Sequence, residues 1–211
     1  MKWEELLEIV GDEPVFSSAI LMAGDVSVQD VRRQLSRWVK SGKVIQLRRG
    51  LYALSDPYRK FVPHPFVLAN ALKPASYVSL QSALAFYGLI PEYTPVVTSV
   101  CTGRPERLET EFGTFFFSHV KNTWFTGYRK VEVSPGQSAF LAIPEKSLLD
   151  LIYLTPGADA PDYLGELRLQ GLESVDQGVL TGIARKSGSP KLIRAAGNIE
   201  DLRDNEGAPA G

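Results

Sequence analysis

The segment from Val28 to Leu54 constrains the fold more than any other part of the sequence. It reads VQDVRRQLSRWVKSGKVIQLRRGLYAL, an amphipathic helical pattern followed directly by two β-prone runs. At about 100° per residue, the helix has two faces that do not overlap. The apolar face consists of Val28, Val31, Leu35, Trp38 and Val39, and the polar face of Gln29, Arg32, Arg33, Ser36, Arg37 and Lys40. One face must therefore be buried, while the other remains exposed.

The residues on either side of this helix predict a compact N-terminal unit. Lys43–Leu47 and Leu51–Leu54 are two strands around Arg48-Arg49-Gly50, where the glycine supplies the positive φ of a tight turn. Two short helices come earlier, from Trp3 to Val10 and from a Ser17 cap to Met22, and Ser27 caps the amphipathic helix with Asp30 in an arrangement close to a capping box. Three helices followed by a hairpin is the order of a winged helix-turn-helix.

Positive and negative charges are unevenly distributed along the chain. Residues 32–49 carry seven cations and no acid, while the other 193 residues hold 16 cations and 24 acids, a net −8. An exposed cationic helix face alone is an ordinary solvated surface about as often as it is a binding site. Ordinary surfaces interleave both signs, however, so seven cations on two adjacent elements favour a DNA-binding surface.

The residues of this surface divide by expected role. Base contacts in the major groove are expected from Gln29, Arg32, Arg33 and Arg37; backbone contacts are expected from Ser27, Lys40, Lys43, Arg48 and Arg49; Ser36 suits either role. If about five phosphates are neutralised, log K should fall with log salt with a slope of about −4.5.

The rest of the chain predicts a second, mixed α and β domain. We expect a winged-helix domain at 1–60, an α+β domain at 61–204 with a largely antiparallel sheet flanked by helices, and a disordered tail at 205–211. The second domain is expected to begin with helices around Phe66–Leu72 and after a Ser79 cap. Four strands follow, at 95–101, 112–120, 128–133 and 138–142. A helix then starts at Pro144, and further helices lie near Tyr163, Leu180 and Leu192.

Motifs for catalysis are weak. Lys146 and Asp150 are four residues apart on a predicted helix, which favours a surface ion pair over a catalytic site. His64 and His119 are far apart and Cys101 is the single cysteine, so no metal or cofactor is predicted. Phe115, Phe116 and Phe117 require either a sheet covered on both faces or a patch for a partner, and core packing is the better interpretation.

Several ordered segments resemble the AbiEi family, the antitoxins of type IV toxin–antitoxin and abortive-infection systems. They extend over roughly residues 17–154 and are WVKSGKVIQLRRGLYA (38–53), YVSLQSALAFYGLIPE (77–92), VTSVCTGR (97–104), FGTFFFSH (112–119) and AIPEKSLLD (142–150). The resemblance implies a winged helix that represses its own operon, a C-terminal domain that contributes to antitoxicity, and a nucleotidyltransferase-type toxin encoded alongside. It leaves direct contact with that toxin open.

We therefore expect a cytoplasmic, non-enzymatic repressor with double-stranded DNA of its own promoter as partner and no membrane association. A homodimer on an inverted repeat and a monomer on tandem sites both remain open. The alternative of another class is a nuclease or nucleotide-modifying enzyme carried to DNA by the winged helix. A module whose basic face binds an acidic protein is a third possibility.

Overall fold

The computed structural model describes residues 1–23, 26–91 and 95–206. Its N-terminal part contains three helical segments and three short strands. In chain order they are α1 (Trp3–Val10), β1 (Phe16–Ser17), a 3₁₀ helix (Ser18–Met22), α2 (Val28–Lys40), β2 (Val44–Arg48) and β3 (Leu51–Leu54). The strands form an antiparallel sheet in the order β1-β3-β2. Every helix predicted here is present, although the second is a 3₁₀ helix.

Local capping explains where these helices begin. The Ser17 hydroxyl accepts a hydrogen bond from the Ala19 amide at 3.2 Å, and the Ser27 hydroxyl accepts one from Asp30 at 3.4 Å. Both caps are as predicted. The Asp30 carboxylate, however, pairs with Arg33 at 2.6 Å, so the capping box suggested by the sequence is incomplete.

The N-terminal part has its own apolar cluster, to which α2 contributes Val31, Leu35 and Trp38. These side chains pack with Leu6 and Val10 of α1, as the helical pattern predicts. Val28 is the exception on the apolar face. It is 42% exposed because it occupies the first position of the helix, beyond the reach of the cluster.

In the described residues, the larger part contains six strands and six α-helices, together with short 3₁₀ helices at Asn122–Trp124 and Leu172–Ser174. Its elements are α3 (Pro65–Leu72), β4 (Ser76–Val78), α4 (Leu80–Phe86), β5 (Val96–Cys101), β6 (Glu106–Thr110), β7 (Gly113–His119), β8 (Tyr128–Ser134), β9 (Gln137–Ala142), α5 (Pro144–Leu154), α6 (Pro161–Glu166), α7 (Gln177–Lys186) and α8 (Pro190–Glu206). The α+β class is therefore confirmed. Strands β4 and β6 were not predicted from the sequence.

The sheet of the larger part is mixed. Its order is β6-β7-β5-β4-β9-β8, and the pairs β5–β7 and β4–β9 are parallel. The expected largely antiparallel sheet is thus wrong for these two pairs. The unpredicted edge strand β6 lies between β5 and β7 in sequence and returns the chain, which lets those two strands run in the same direction.

Both faces of this sheet are covered. Tyr77, Val100 and Ala142 contact the cluster formed with α5, α7 and α8, whereas Val78, Cys101 and Leu141 contact a cluster on the opposite face with α3. The alternation of each strand explains this division. Phe115 and Phe117 are buried in the second cluster, and Phe116 lies half-buried beneath the Arg107 guanidinium, 5.2 Å from its ring centroid. The core interpretation is confirmed for Phe115 and Phe117, whereas Phe116 lies outside the core clusters.

Helix α8 overlaps the start of the expected tail. It extends through Asn205 and Glu206, and residues 207–211 lie outside the described part. Across the described ranges, no helix combines the length and apolar character that crossing a bilayer requires.

Candidate nucleic-acid interface

Helix α2 presents the predicted polar face to solvent. Gln29, Arg32, Arg33, Ser36, Arg37 and Lys40 are all exposed. The apolar stripe behind them is held by the N-terminal cluster, which fixes the rotation of the helix about its axis. The six side chains therefore project from one rigid surface.

A cleft joins this face to the β2–β3 hairpin. One end is lined by Ser18, Arg32, Leu35, Arg49, Gly50 and Tyr52, and the adjoining end by Arg32, Ser36, Val39, Lys40, Gln46 and Tyr52. Arg32 and Tyr52 line both depressions, which therefore adjoin each other. We call this surface the α2–hairpin cleft. Of the predicted cations, Arg32 and Arg49 line one depression, and Arg32 and Lys40 line the other.

The turn of the hairpin places Arg49 in the lining of this cleft. Gly50 has φ of 82°, the positive value expected from the sequence, and its carbonyl accepts a hydrogen bond from the Ser18 amide at 2.8 Å. The turn is thereby tied to the start of the 3₁₀ helix. Among the described residues, Arg49 has no carboxylate within ion-pair distance.

Arg33 and Arg37 lie on the other flank of α2. They line a separate depression with Met1, Asp30 and Gln34. The Arg33–Asp30 ion pair has both side chains more than half exposed. Exposed pairs of this kind contribute about 0–1 kcal/mol, so a phosphate can compete for Arg33.

Two of the predicted contact residues point elsewhere. The Lys43 ammonium lies over the Trp3 ring, 4.8 Å from its centroid, and also faces Tyr58 at 5.8 Å. The Arg48 guanidinium donates a hydrogen bond to the carbonyl of Leu72 in the larger part. The structure thus groups Ser36 and three of the predicted cations in the cleft, with Arg33 and Arg37 beside it, and directs Lys43 and Arg48 away. Ser27 and Gln29 lie at the exposed start of the helix.

Sequence reasoning missed three polar residues of the cleft, namely Ser18, Gln46 and Tyr52. Gln46 and Tyr52 face each other directly across the hairpin. Because paired residues share a face of a sheet, the predicted hairpin alone could have placed them together. The helix-to-hairpin distance, which makes them part of the cleft, depends on tertiary packing.

A second group of charges is buried in the larger part. Lys146 and Asp150 are both 0% exposed, so the surface ion pair expected from the sequence is wrong. Asp150 accepts hydrogen bonds from Tyr77 (3.0 Å), Ser79 (2.7 Å) and Trp124 (2.7 Å), as well as from the Lys146 ammonium. The Ser79 hydroxyl is therefore engaged with Asp150 and does not cap α4.

The electrostatics of this buried group follow from desolvation. Burial raises the pKa of the Tyr77 phenol, and the Asp150 carboxylate raises it further, so Tyr77 remains a hydrogen-bond donor. Burial also raises the pKa of Asp150 and lowers that of Lys146. The attraction between the two charges shifts both pKa values in the opposite direction, but by less. Lys146 lies 4.1 Å from the centroid of the Trp124 ring. Both carboxylate oxygens are hydrogen-bonded, and Tyr77, Ser79, Lys146 and Asp150 are 0% exposed, so the ion pair is part of the interior of the larger part.

Comparisons with known proteins bear on the fold. No known protein-family profile matches this chain, and no curated protein matches it. The crystal structure of the RV2827C protein from Mycobacterium tuberculosis is similar, with a TM-score of 0.59 and 15% sequence identity. The similarity covers 98% of this chain and 77% of that chain. It shows that the α+β arrangement, over nearly its whole length, also occurs in an experimentally determined structure.

Proposed function

We propose that this chain is a sequence-specific DNA-binding protein that represses transcription, and that its N-terminal part is a winged helix. The observation that carries the proposal is the α2–hairpin cleft, two adjoining depressions of which one is lined by Arg32 and Arg49 and the other by Arg32 and Lys40. Helix α2 would lie in the major groove and the hairpin would contact the adjacent backbone. Repression needs no catalysis, because a bound protein occludes its promoter.

The division of contacts follows from this placement. Phosphate neutralisation supplies affinity, and side chains that reach base edges supply sequence preference. Gln29, Arg32, Arg33 and Arg37 remain the base-contact set, and Ser27, Lys40 and Arg49 the backbone set, with Ser36 able to serve in either. Gln46 and Tyr52 join them as polar residues of the cleft.

The salt dependence of binding tests this interface. With Lys43 and Arg48 directed away, the cations assigned to the backbone are Lys40 and Arg49. They can neutralise about two phosphates, so the slope of log K against log salt should be about −1.8, shallower than the slope of about −4.5 expected from the sequence. The measurement is fluorescence anisotropy with the DNA upstream of the gene, titrated at several salt concentrations. A slope close to zero would contradict the proposal.

Single substitutions separate the two kinds of contact. Arg33→Ala should relax sequence preference, because it removes a base contact, whereas Arg49→Ala should weaken all sequences alike and flatten the slope by about 0.9. Arg185→Ala, which removes an exposed arginine of α7 in the larger part, is the matched control and should leave binding unchanged. Equal loss of specificity in the Arg33 and Arg49 variants would refute the assignment.

We further propose that the protein is the autoregulating antitoxin of a type IV system, as the AbiEi-like segments suggest. In that case a nucleotidyltransferase-type toxin should be encoded next to this gene. Co-expression should restore growth of cells that produce the toxin, and a promoter fusion should fall in activity when this protein is supplied. A chain that represses the fusion without protecting cells would be a repressor but not an antitoxin.

A further inference from the structure

The two faces of the β2–β3 hairpin have different environments. Gln46 and Tyr52 are paired on the face that lines the α2–hairpin cleft. Leu47 and Leu51 instead pack against the cluster of the larger part that contains Leu72 and Phe117. The hairpin is therefore held between the candidate interface and the larger part, and does not project freely into solvent.

A β-bulge determines the face of the hairpin on which Arg48 lies. In a regular ladder Arg48 would lie two residues beyond Gln46 on the same face, and would point into the cleft. The pairing shifts between Gln46 and Arg48, so that Gln46 pairs with Tyr52 while Arg48 pairs with Leu51. Leu47 is thus the extra residue of the bulge. The bulge turns Arg48 toward the face that contacts the larger part.

The contact that Arg48 makes there is complementary in charge. Its guanidinium donates to the carbonyl of Leu72, the last residue of the eight-residue helix α3. The last carbonyls of a helix lack partners within the helix and carry partial negative charge, which favours a cation at this position. Glu106 lies close enough for the charge of Arg48 to help lower its pKa, after the larger effect of Lys73.

We propose that Arg48 is a positioning residue, which with Leu47 and Leu51 anchors the hairpin to the larger part, and that Arg49 alone of this pair contacts DNA. The larger part then sets the orientation of the hairpin relative to α2. The inference deepens the proposed DNA binding and rests on it for its functional consequence. The anchoring itself is a property of the free protein.

Hydrogen exchange of the free, full-length protein tests the anchor without DNA. Arg48→Ala should speed exchange of the hairpin amides by about five-fold, because a hydrogen bond that holds the hairpin is lost. Arg49→Ala, at the adjacent arginine that makes no such hydrogen bond, should leave exchange unchanged. Arg48→Lys keeps a donor and should restore part of the protection. Leu47→Ala should act in the same direction as Arg48→Ala, since both residues face the larger part.

Salt titration of DNA binding gives the second readout. Arg48→Ala should lower affinity several-fold with the slope unchanged, whereas Arg49→Ala should reduce the slope by about 0.9. Unchanged hairpin exchange in Arg48→Ala, or a slope reduced as in Arg49→Ala, would overturn the positioning role. If the wild-type protein binds no DNA, the proposed function fails, and the exchange results still decide whether Arg48 anchors the hairpin.

Discussion

Gly127 shows how one residue supports the buried charges of the larger part. Its φ is 74°, and a Cβ added there would lie 3.0–3.2 Å from three carbons of the Lys146 side chain. The glycine therefore meets two requirements, a left-handed backbone and a close approach to Lys146. This approach helps to exclude water from the ammonium, which the sequence alone could not reveal.

Gly127→Ala should destabilise the protein more than Gly136→Ala. Both glycines have nearly the same φ, 74° and 73°, but a Cβ at Gly136 would meet nothing within 4 Å. The backbone strain, about 1–3 kcal/mol, is then common to both variants, and only Gly127→Ala adds a clash with Lys146. Urea denaturation measures the difference. Equal midpoints would show that the Lys146 side chain moves away at no cost.

The buried ion pair of Lys146 and Asp150 can be tested by substitution of either partner. Lys146→Met should cost about 3–5 kcal/mol of unfolding free energy, because it leaves a buried carboxylate without its counter-charge. Asp150→Leu should cost a similar amount for the converse reason. The double variant should cost less than the sum of the two, since it buries no charge. Additive losses, measured by urea denaturation, would mean that the two groups do not depend on each other.

Individual strands differ in how clearly the sequence reveals them. β7 is marked by its aromatic run, but β6 contains one apolar residue among Glu106, Arg107, Glu109 and Thr110, so it gives no alternating signal. β4 has three residues, too few for any period. Without β6, β5 and β7 are consecutive strands in the sequence, and consecutive strands are expected to pair as an antiparallel hairpin. The helices were better predicted because capping and periodic apolar positions mark both their limits and their buried side.

Strand β7 offers a direct test of alternation. Phe115→Ala should cost about 3–5 kcal/mol, because the side chain is fully buried between sheet and α3. Phe116→Ala, one residue later and half-buried, should cost much less and should remove only its packing with Arg107. Thermal or urea denaturation of the two variants checks the order. A larger loss for Phe116→Ala would contradict the assignment of faces.

For the molecule as a whole, the sequence predicted the exposed cationic face but not which of the cations nearby make contacts within the protein. The charge of residues 32–49 and the wheel of α2 identified the exposed face. The sequence could not show that Lys43 faces Trp3 or that Arg48 binds the Leu72 carbonyl, because these partners are distant in sequence. Similarly, nothing in the spacing of Lys146 and Asp150 tells whether both faces of their helix are covered. Tertiary packing decides in each case which charges remain available to a partner.

The contact between Lys73 and Glu106 lies beside Arg48 and links the end of α3 to the first residue of β6. The two side chains are 2.7 Å apart, and the hydrogen bond from Lys73 is the main reason that the pKa of Glu106 lies below its ordinary value of 4.5. A carboxyl with a lowered pKa in the folded state stabilises that state above its unfolded pKa. This stabilisation is lost as the pH falls through the folded value.

Glu106→Gln should therefore lower stability at neutral pH and flatten the loss of stability on acidification below about pH 4.5. The matched control is Glu109→Gln, which removes the same charge from the same strand, where Glu109 pairs with Arg107 and both side chains are more than half exposed. Because exposed pairs contribute little, this control should follow the wild type closely. Urea midpoints from about pH 7 down to about pH 3 measure both curves.

Superimposable curves for wild type and Glu106→Gln would show that Lys73 does not hold the carboxylate in solution. In that event the Glu106 carboxylate would not contribute to holding Arg48. The hairpin would then be anchored only by the hydrogen bond from Arg48 to the Leu72 carbonyl and by the packing of Leu47 and Leu51.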